Sequence, residues 1–260
     1  TMIGQIQLVG VKDLGRAKQR ILANKEGILQ EANAQSRTRK AIDVEARGID
    51  TPRGPMLVVE LSVDVKDSMG ANVVNSMCEA VAPLVADLGE GKANLRVVSN
   101  LAARRLVHVK AIATEGDLGG PEVVDRIVAA VDFAESDPWR AVTHNKGIMN
   151  GVSAVLLATS NDTRAVEAGA HAYAAITGRY RPLSTWRKTD EGNLMGELTM
   201  PMAVGIVGGA ISTNPTAKIV LKILRARTAT ELGEVAASTG LAYNLAALQV
   251  LVMGGIKRIS

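Results

Sequence analysis

Hydrophobic and polar residues alternate most regularly along residues 57–65. Leucine or valine stands at every second position there, and Glu60, Ser62 and Asp64 stand between them. Such alternation predicts a β-strand with one buried face. The same pattern predicts a strand over residues 41–46, and the Pro- and Gly-containing residues 51–55 predict the turn that joins the two strands.

The rest of the first hundred residues completes a βαββαβ order. A strand-like segment opens the chain at residues 1–9, and a helical segment follows over residues 12–32. Apolar residues recur at helical spacing over residues 72–88, Gly89-Glu90-Gly91 ends that helix, and residues 95–98 supply a fourth strand. This order predicts a ferredoxin-like, split-βαβ unit whose helices cover one face of the sheet.

Helices predominate after residue 100. A strand is predicted over residues 106–113, and two alternating segments around the Asp190-Glu191-Gly192-Asn193 turn predict a hairpin. Helices are predicted near residues 121–134, 161–177, 216–226 and 230–251. The chain is therefore predicted to be of the α/β (α+β) class, with a small domain over residues 1–99 and part of a larger, mainly helical domain over residues 100–260.

The composition excludes several functional classes. Of 260 residues 47% are hydrophobic but only 2% aromatic, which argues against an aromatic platform for sugars or single-stranded nucleic acid. The net charge of +4 is mild, and no dense Lys/Arg stripe predicts a nucleic-acid partner. Cys78 is single and no secretory signal is visible, so we expect a cytoplasmic protein. The longest apolar runs, residues 202–211 and 245–253, are too short to span a membrane.

Residues 67–72, Asp-Ser-Met-Gly-Ala-Asn, lie between the clearest strand and an amphipathic helix. Backbone N–H groups at a helix start, beside a glycine, suit the pyrophosphate of a nucleotide. A plain helix entry with Asp67 as the capping residue explains the pattern equally well.

Residues 140–151 contain Arg, His, Lys and two Asn within an otherwise apolar helical region. Lys146 must be solvated, paired or functional, because an unpaired buried ammonium is costly. Asp162 is by default the cap of the following helix, but it could also pair with Lys146. An Asp–Lys pair near a carbonyl group can stabilise an oxyanion.

The other chemical motifs are weaker. The three histidines have no metal-ligand spacing, and His171 in its Ala-rich helix is interpreted as structural. There is no G-x-S-x-G elbow, Walker loop or zinc pattern. Residues 201–209 indicate close backbone packing first and ligand approach second. The residues by themselves thus predict a two-domain α/β protein with a phosphate cradle and a polar lysine site.

Four segments taken together resemble one enzyme family. They are TPRGPMLVVELSVDVKDSMGANVVNSMCEAVAP, HNKGIMNGVSAVLLATSNDTRAVEAGAHAYA, MPMAVGIVGG and GLAYNLAAL, and they resemble class II (bacterial- or archaeal-type) 3-hydroxy-3-methylglutaryl-CoA (HMG-CoA) reductases in order and spacing. The resemblance implies a homodimer with active sites at the subunit interface. It also implies reduction of HMG-CoA by two reduced nicotinamides, through mevaldyl-CoA and mevaldehyde, to mevalonate and free CoA.

The same resemblance implies roles for individual residues. Lys146 matches the lysine that stabilises the developing oxyanion, and Asp162 matches the aspartate that holds this lysine in its network. The residues matching those that hold HMG-CoA are Arg140, Asn150 and Asn244. The residues matching the cofactor loop are Asp67, Met69, Gly70 and Asn72.

Three departures from the family pattern affect these expectations. The family's catalytic glutamate falls upstream of Thr1, and Ser260 stands where the family has the histidine that protonates the leaving CoA thiolate. Tyr243 replaces the glutamine that usually precedes the substrate asparagine. An incomplete chain that binds nucleotide or CoA without turnover is therefore the alternative to a complete reductase.

The choice between NAD and NADP depends on residues before the second strand. Glu26 lies close to the expected position of the family's ribose-binding acidic residue, beside Gly27. Arg37, Arg39 and Lys40 could instead hold a 2′-phosphate. The sequence leans to NAD.

Overall fold

The structure is a computed structural model that describes residues 1–254. The chain divides into two compact units, Thr1–Arg104 and Arg105–Ser260. Both contain helices and one antiparallel sheet, so the predicted α/β (α+β) class is confirmed. That the first unit binds nucleotide and the second HMG-CoA stays a prediction.

The first unit has the βαββαβ order expected from the hydrophobic pattern, with two helices in the place of the first one. Its elements are β1 (Met2–Val9), α1 (Leu14–Ala23), α2 (Lys25–Ala34), β2 (Lys40–Ile49), β3 (Met56–Asp64), α3 (Ala71–Leu88) and β4 (Lys92–Val98). The strand order is β2-β3-β1-β4, and all the pairs are antiparallel. The helical segment predicted over residues 12–32 is divided into two helices at Asn24. The backbone N–H of Asn24 closes α1, and α2 begins at the next residue.

The second unit surrounds a three-stranded sheet with helices. Its elements are β5 (Leu106–Ala113), α4 (Glu115–Leu118), α5 (Pro121–Ser136), α6 (Pro138–Ala158), α7 (Thr163–Ala174), β6 (Ser184–Lys188), β7 (Leu194–Pro201), α8 (Gly209–Thr213), α9 (Pro215–Leu224) and α10 (Ala229–Met253). The strand order is β5-β7-β6. The predicted hairpin is confirmed, with Trp186 of β6 directly opposite Gly196 of β7.

Helices α6 and α10 pack closely at two glycines. A Cβ atom added to Gly151 of α6 would lie 2.6 Å from the carbonyl oxygen of Thr239 on α10. A Cβ atom added to Gly240 of α10 would lie 2.8 Å from a methyl carbon of Val152 on α6. Because the backbones of α6 and α10 approach closely at these glycines, a larger residue at either position would force the helices apart.

Within residues 1–254, α10 is long and apolar enough to cross a membrane by length and composition alone. The sequence expectation considered only uninterrupted apolar runs and missed this helix. Its N-terminus carries a capping box of Thr228 and Glu231, and its middle carries the buried, hydrogen-bonded Asn244. Leu241 and Leu248 are also buried in the hydrophobic core of the second unit. We therefore interpret α10 as a core helix.

Candidate functional site

The candidate nucleotide loop joins β3 to α3 in the first unit. The residue that caps α3 is Gly70, which has no side chain to accept from the first-turn N–H groups, and that turn contains no acidic residue. The N-cap position is therefore held by Gly70 and not by Asp67, which makes interactions within the fold. The first N–H groups of a helix and the positive end of its dipole suit a phosphate.

The structure gives a reason for a glycine at position 70 that the sequence did not reveal. Its φ angle is +97°, and an added Cβ atom would lie 2.4 Å from Val65 Cγ1. Glycine is thus required by backbone conformation and by packing against Val65, the residue after β3, before any ligand is considered. Asn72 is exposed in the first turn of α3, whereas Asp67 and Met69 are partly buried and make interactions within the fold.

The polar segment of the second unit lies on α6. Asp137 caps this helix by accepting a hydrogen bond from the N–H of Trp139, and Pro138 occupies its first turn. Lys146 and Asn150 are four residues apart and therefore share a face. Lys146 is exposed and Asn150 is half-buried, whereas Asn145 is buried and bridges the backbone at Arg181 and Leu183. The helix thus presents a lysine and an amide outward from a rigid base.

Asp162 caps α7. Its carboxylate accepts a hydrogen bond of 3.0 Å from the N–H of Ala165. Within residues 1–254 no ion pair or hydrogen bond joins it to Lys146, so the expected pairing is not formed in this structure. The capping interpretation of Asp162 is the one that the geometry supports.

Asn244 belongs to a buried polar cluster. Its Oδ1 accepts hydrogen bonds from Ser184 Oγ at 2.9 Å and from Trp186 Nε1 at 2.8 Å. Ser184 also contacts Nε2 of His144 at 2.7 Å. Burial lowers the pKa of His144 to about 4, and the positive charge of Arg140 lowers it as well. His144 is therefore neutral at physiological pH.

Ser184 and Trp186 were not among the predicted site residues, and His144 was given no role. Ser184 and Trp186 are two positions apart in a strand, which places both side chains on one face. That spacing was a usable signal, but the sequence could not show that this face meets α6 and α10.

The remaining polar motifs have structural partners. His171 stacks on the ring of Tyr180, and its Nδ1 lies 2.7 Å from the tyrosine oxygen, which supports its structural interpretation. Asn161 holds the backbone of Gly205 through both N–H and C=O. Gly208 and Gly209 have positive φ angles but open space where Cβ would lie. Backbone conformation, rather than the expected close packing, explains these two glycines.

A family model described as hydroxymethylglutaryl-coenzyme A reductase matches residues 1–258. The chain belongs to the HMG-CoA reductase family. It is 52% identical, over 99% of its length, to the 3-hydroxy-3-methylglutaryl-coenzyme A reductase of Archaeoglobus fulgidus, and it covers 60% of that protein. It is 37% identical, over 77% of its length, to a probable HMG-CoA reductase of Borreliella burgdorferi, of which it covers 47%.

Solved structures agree with this family. The HMG-CoA reductase of Streptococcus pneumoniae matches with a TM-score of 0.93 and 39% identity, over 96% of this chain and 70% of that one. A class II structure from the same organism, bound to NADPH in open conformations, matches with the same TM-score and identity over 96% of this chain and 71% of that chain. The predicted class II family is thereby confirmed. The chain spans about three fifths of the archaeal HMG-CoA reductase and about half of the Borreliella protein.

Of two residues that depart from the family pattern, one lies within the described residues and the other does not. Tyr243 is exposed on α10, next to the buried Asn244. Ser260, at the position of the family histidine, lies outside the described residues.

Proposed function

We propose that this chain is part of an enzyme that reduces HMG-CoA to mevalonate and CoA with two reduced nicotinamides per turnover. The family match over residues 1–258 carries the proposal. The geometry of the second unit supports it, because α6 presents Lys146 and Asn150 on one accessible face while its opposite face is fixed in the core.

Lys146 is proposed to stabilise the negative charge that develops on the thioester oxygen. A preorganised cation at a developing oxyanion is among the largest contributions to catalysis. Asp162 is the family partner of this lysine, and both side chains are exposed. Arg140, Asn150 and Asn244 are proposed to hold HMG-CoA.

A nicotinamide coenzyme would be held by Asp67, Met69, Gly70 and Asn72, and when bound it supplies the hydride. The N-terminus of α3, where Gly70 stands at the cap position, suits a phosphate group. A Streptococcus relative binds NADPH, whereas the exposed Glu26 in the first turn of α2 favours NAD in this chain. Titration with NADH and NADPH decides between them: tenfold tighter NADPH binding, about 1.4 kcal/mol, would reverse our preference for NAD.

We further propose a cytoplasmic homodimer, as the family resemblance implies. Trp139, Leu157 and Ile223 are largely exposed apolar side chains of the second unit, and such surface is often covered in an assembly. Sedimentation of the purified chain measures the oligomeric state, and a strictly monomeric chain at high concentration contradicts a dimer of this polypeptide.

Calorimetric titration with HMG-CoA tests the proposed function. We expect saturable binding that weakens in Arg140→Ala and Asn150→Ala, since each variant loses a proposed substrate contact. Arg187→Ala, on the exposed end of β6, is the control and should bind normally. If the unaltered chain binds acetyl-CoA as tightly as HMG-CoA, these residues do not recognise the hydroxymethylglutaryl group.

A further inference from the structure

Four buried polar side chains from three elements form one hydrogen-bonded cluster in the second unit. They are His144 of α6, Ser184 and Trp186 of β6, and Asn244 of α10, each at most 2% exposed. The three contacts that link them measure 2.7 to 2.9 Å. We name them the Asn244 cluster.

The number of available protons fixes the direction of every hydrogen bond in the Asn244 cluster. The indole Nε1–H of Trp186 can only donate, so the atom that faces it must be the amide oxygen of Asn244. The single hydroxyl proton of Ser184 goes to the same oxygen. Ser184 Oγ must then accept from His144, which therefore carries its proton on Nε2.

This direction agrees with the surroundings of the other imidazole nitrogen. His144 Nδ1 is buried and has no hydrogen-bond partner among the described residues. A lone pair at that position is less costly than an unpaired N–H, since a buried orphan donor is the rarer case in proteins. The neutral Nε2–H tautomer of His144 is thus consistent with the surroundings of both Nδ1 and Nε2.

These hydrogen-bond directions fix the orientation of the side-chain amide of Asn244. Both donors converge on Oδ1, and a flipped amide would set its N–H groups against the N–H of Trp186 and the hydroxyl of Ser184. Within residues 1–254 the Nδ2 group forms no hydrogen bond, and it is not among the fully buried unpaired atoms. Its N–H groups are therefore turned away from Ser184 and Trp186 and are unpaired within the described residues.

We propose that His144, Ser184 and Trp186 are positioning residues that lock the Asn244 amide so that its N–H2 group faces an acceptor oxygen of the bound acyl ligand. The inference rests on the proposed function for the identity of that ligand. Gly196 completes the arrangement, because a Cβ atom there would lie 2.2 Å from the ring of Trp186. Within the hairpin, the indole ring of Trp186 thus packs against the backbone of Gly196.

Nitrogen NMR of the uniformly labelled chain tests the cluster without any ligand. Three histidines and two tryptophans make the spectrum assignable, and Trp139→Phe identifies the remaining indole signal as that of Trp186. We expect the Nε2–H tautomer at His144 and a slowly exchanging indole proton at Trp186. A protonated Nδ1 at His144 in the neutral ring overturns the proposed direction.

Binding measurements then test the positioning role. Trp186→Phe removes the donor with little change of shape, and we expect HMG-CoA binding to weaken about tenfold. In an Asn244→Ala background the same change should alter binding less than about twofold, because the amide to be positioned is gone. Arg187→Ala, at the exposed end of β6, is the control and should leave binding unchanged.

Two further variants separate positioning from folding. Asn244→Asp still accepts from Ser184 and Trp186 but presents an oxygen where the N–H2 group was, so we expect a folded protein that binds HMG-CoA poorly. Ser184→Ala serves if Trp186→Phe does not fold. An equal effect of Trp186→Phe in both backgrounds would mean that the cluster only supports the fold. Failure of the unaltered chain to bind HMG-CoA overturns the proposed function and the ligand half of this inference, while the tautomer measurement still decides the cluster.

Discussion

His144 is buried on α6 beside Arg140, and its pKa of about 4 lies below the ordinary value of 6.5. The unfolded chain binds a proton near pH 6.5, whereas the folded chain does not bind it until about pH 4. Stability contributed by the neutral ring is therefore complete above pH 6.5 and is lost as the pH falls from 6.5 towards 4. The difference corresponds to a free energy of roughly 3 kcal/mol.

Urea denaturation at pH 7, 5.5 and 4.5 measures this loss. We expect His144→Gln to be less stable than the unaltered chain at pH 7 but to lose less stability on acidification. His108→Gln removes an exposed histidine and serves as the control. Parallel curves for His144→Gln and the unaltered chain would show that His144 is not the titrating group.

Gly70 illustrates what the sequence could and could not predict at the scale of a residue. The pattern correctly placed a glycine between a strand and a helix, and it suggested that the residue admits a ligand. The structure adds a positive φ angle and contact with Val65, which depend on how β3 and α3 meet. A valine at this position would therefore report on folding as well as on nucleotide binding.

A comparison of Gly70 with Gly54 separates the two effects. Both have φ angles near +100°, but only at Gly70 would a Cβ atom meet another atom. We expect Gly54→Ala to cost about 1–2 kcal/mol of unfolding free energy for the left-handed conformation alone. Gly70→Ala should cost about 1–3 kcal/mol more, because the added carbon overpacks Val65. Equal losses for the two variants would contradict the clash, and recovery in Gly70→Ala/Val65→Ala would confirm it.

At the scale of elements, periodicity predicted what each segment is better than where it breaks. Two-residue alternation identified β3 and the β6–β7 hairpin. The expectation of a single buried face was wrong for β3, since Val58 and Ser62 on its other face are buried as well. The break at Asn24 was missed, since helical residues continue on both sides of it. The polar residues of α6 also concealed the length of that helix, in which buried positions alternate with Lys146 and Asn150.

The crossing of α6 and α10 positions the candidate residues of both helices. Gly151 faces backbone atoms of α10, whereas Gly147, about one turn earlier on α6, has no heavy atom within 4 Å of an added Cβ. We expect Gly151→Ala to destabilise the chain by about 1–3 kcal/mol, because backbone cannot move aside as a side chain can. Gly147→Ala should stabilise it by about 0.5–1 kcal/mol, through the higher helix propensity of alanine.

Thermal and urea unfolding of the two glycine variants test this crossing. Because α10 carries Asn244, Gly151→Ala should also broaden or shift the Trp186 indole signal, which reports the hydrogen bond to Asn244. Gly147→Ala should leave that signal in place. Loss of stability in both variants would mean that α6 tolerates no added carbon, and the glycine contact between helices would not be the cause.

At the scale of the whole molecule, family membership is better established than the activity of this polypeptide. The chain matches the family model almost throughout, yet it spans 60% of the archaeal relative. Its two units fold around separate sheets. Ligand binding requires correctly placed contacts, whereas turnover also requires every group that moves a proton. Binding and turnover can therefore be separated by experiment.

We predict that the 260-residue polypeptide expressed alone binds HMG-CoA and nicotinamide nucleotide but does not reduce HMG-CoA at a measurable rate. By the family resemblance, the catalytic glutamate falls upstream of Thr1. Ser260 stands at the position of the histidine that protonates the leaving CoA thiolate. A serine hydroxyl is far less acidic than an imidazolium, so the CoA thiolate would leave without a positioned proton donor. A general acid contributes about 10²–10⁴ in rate, and losing two is severe even if their effects are not additive.

Nicotinamide absorbance with HMG-CoA as substrate measures this prediction. The polypeptide is compared with a version extended at both ends by the corresponding segments of the Archaeoglobus reductase, which is 52% identical over the shared region. We expect turnover only in the extended protein, and Lys146→Ala should lower it by about 10²–10³ through loss of the oxyanion partner. Retained HMG-CoA binding by the 260-residue chain shows that its inactivity is not a failure to fold. Comparable turnover in the two proteins would mean that the proton donors lie within residues 1–260.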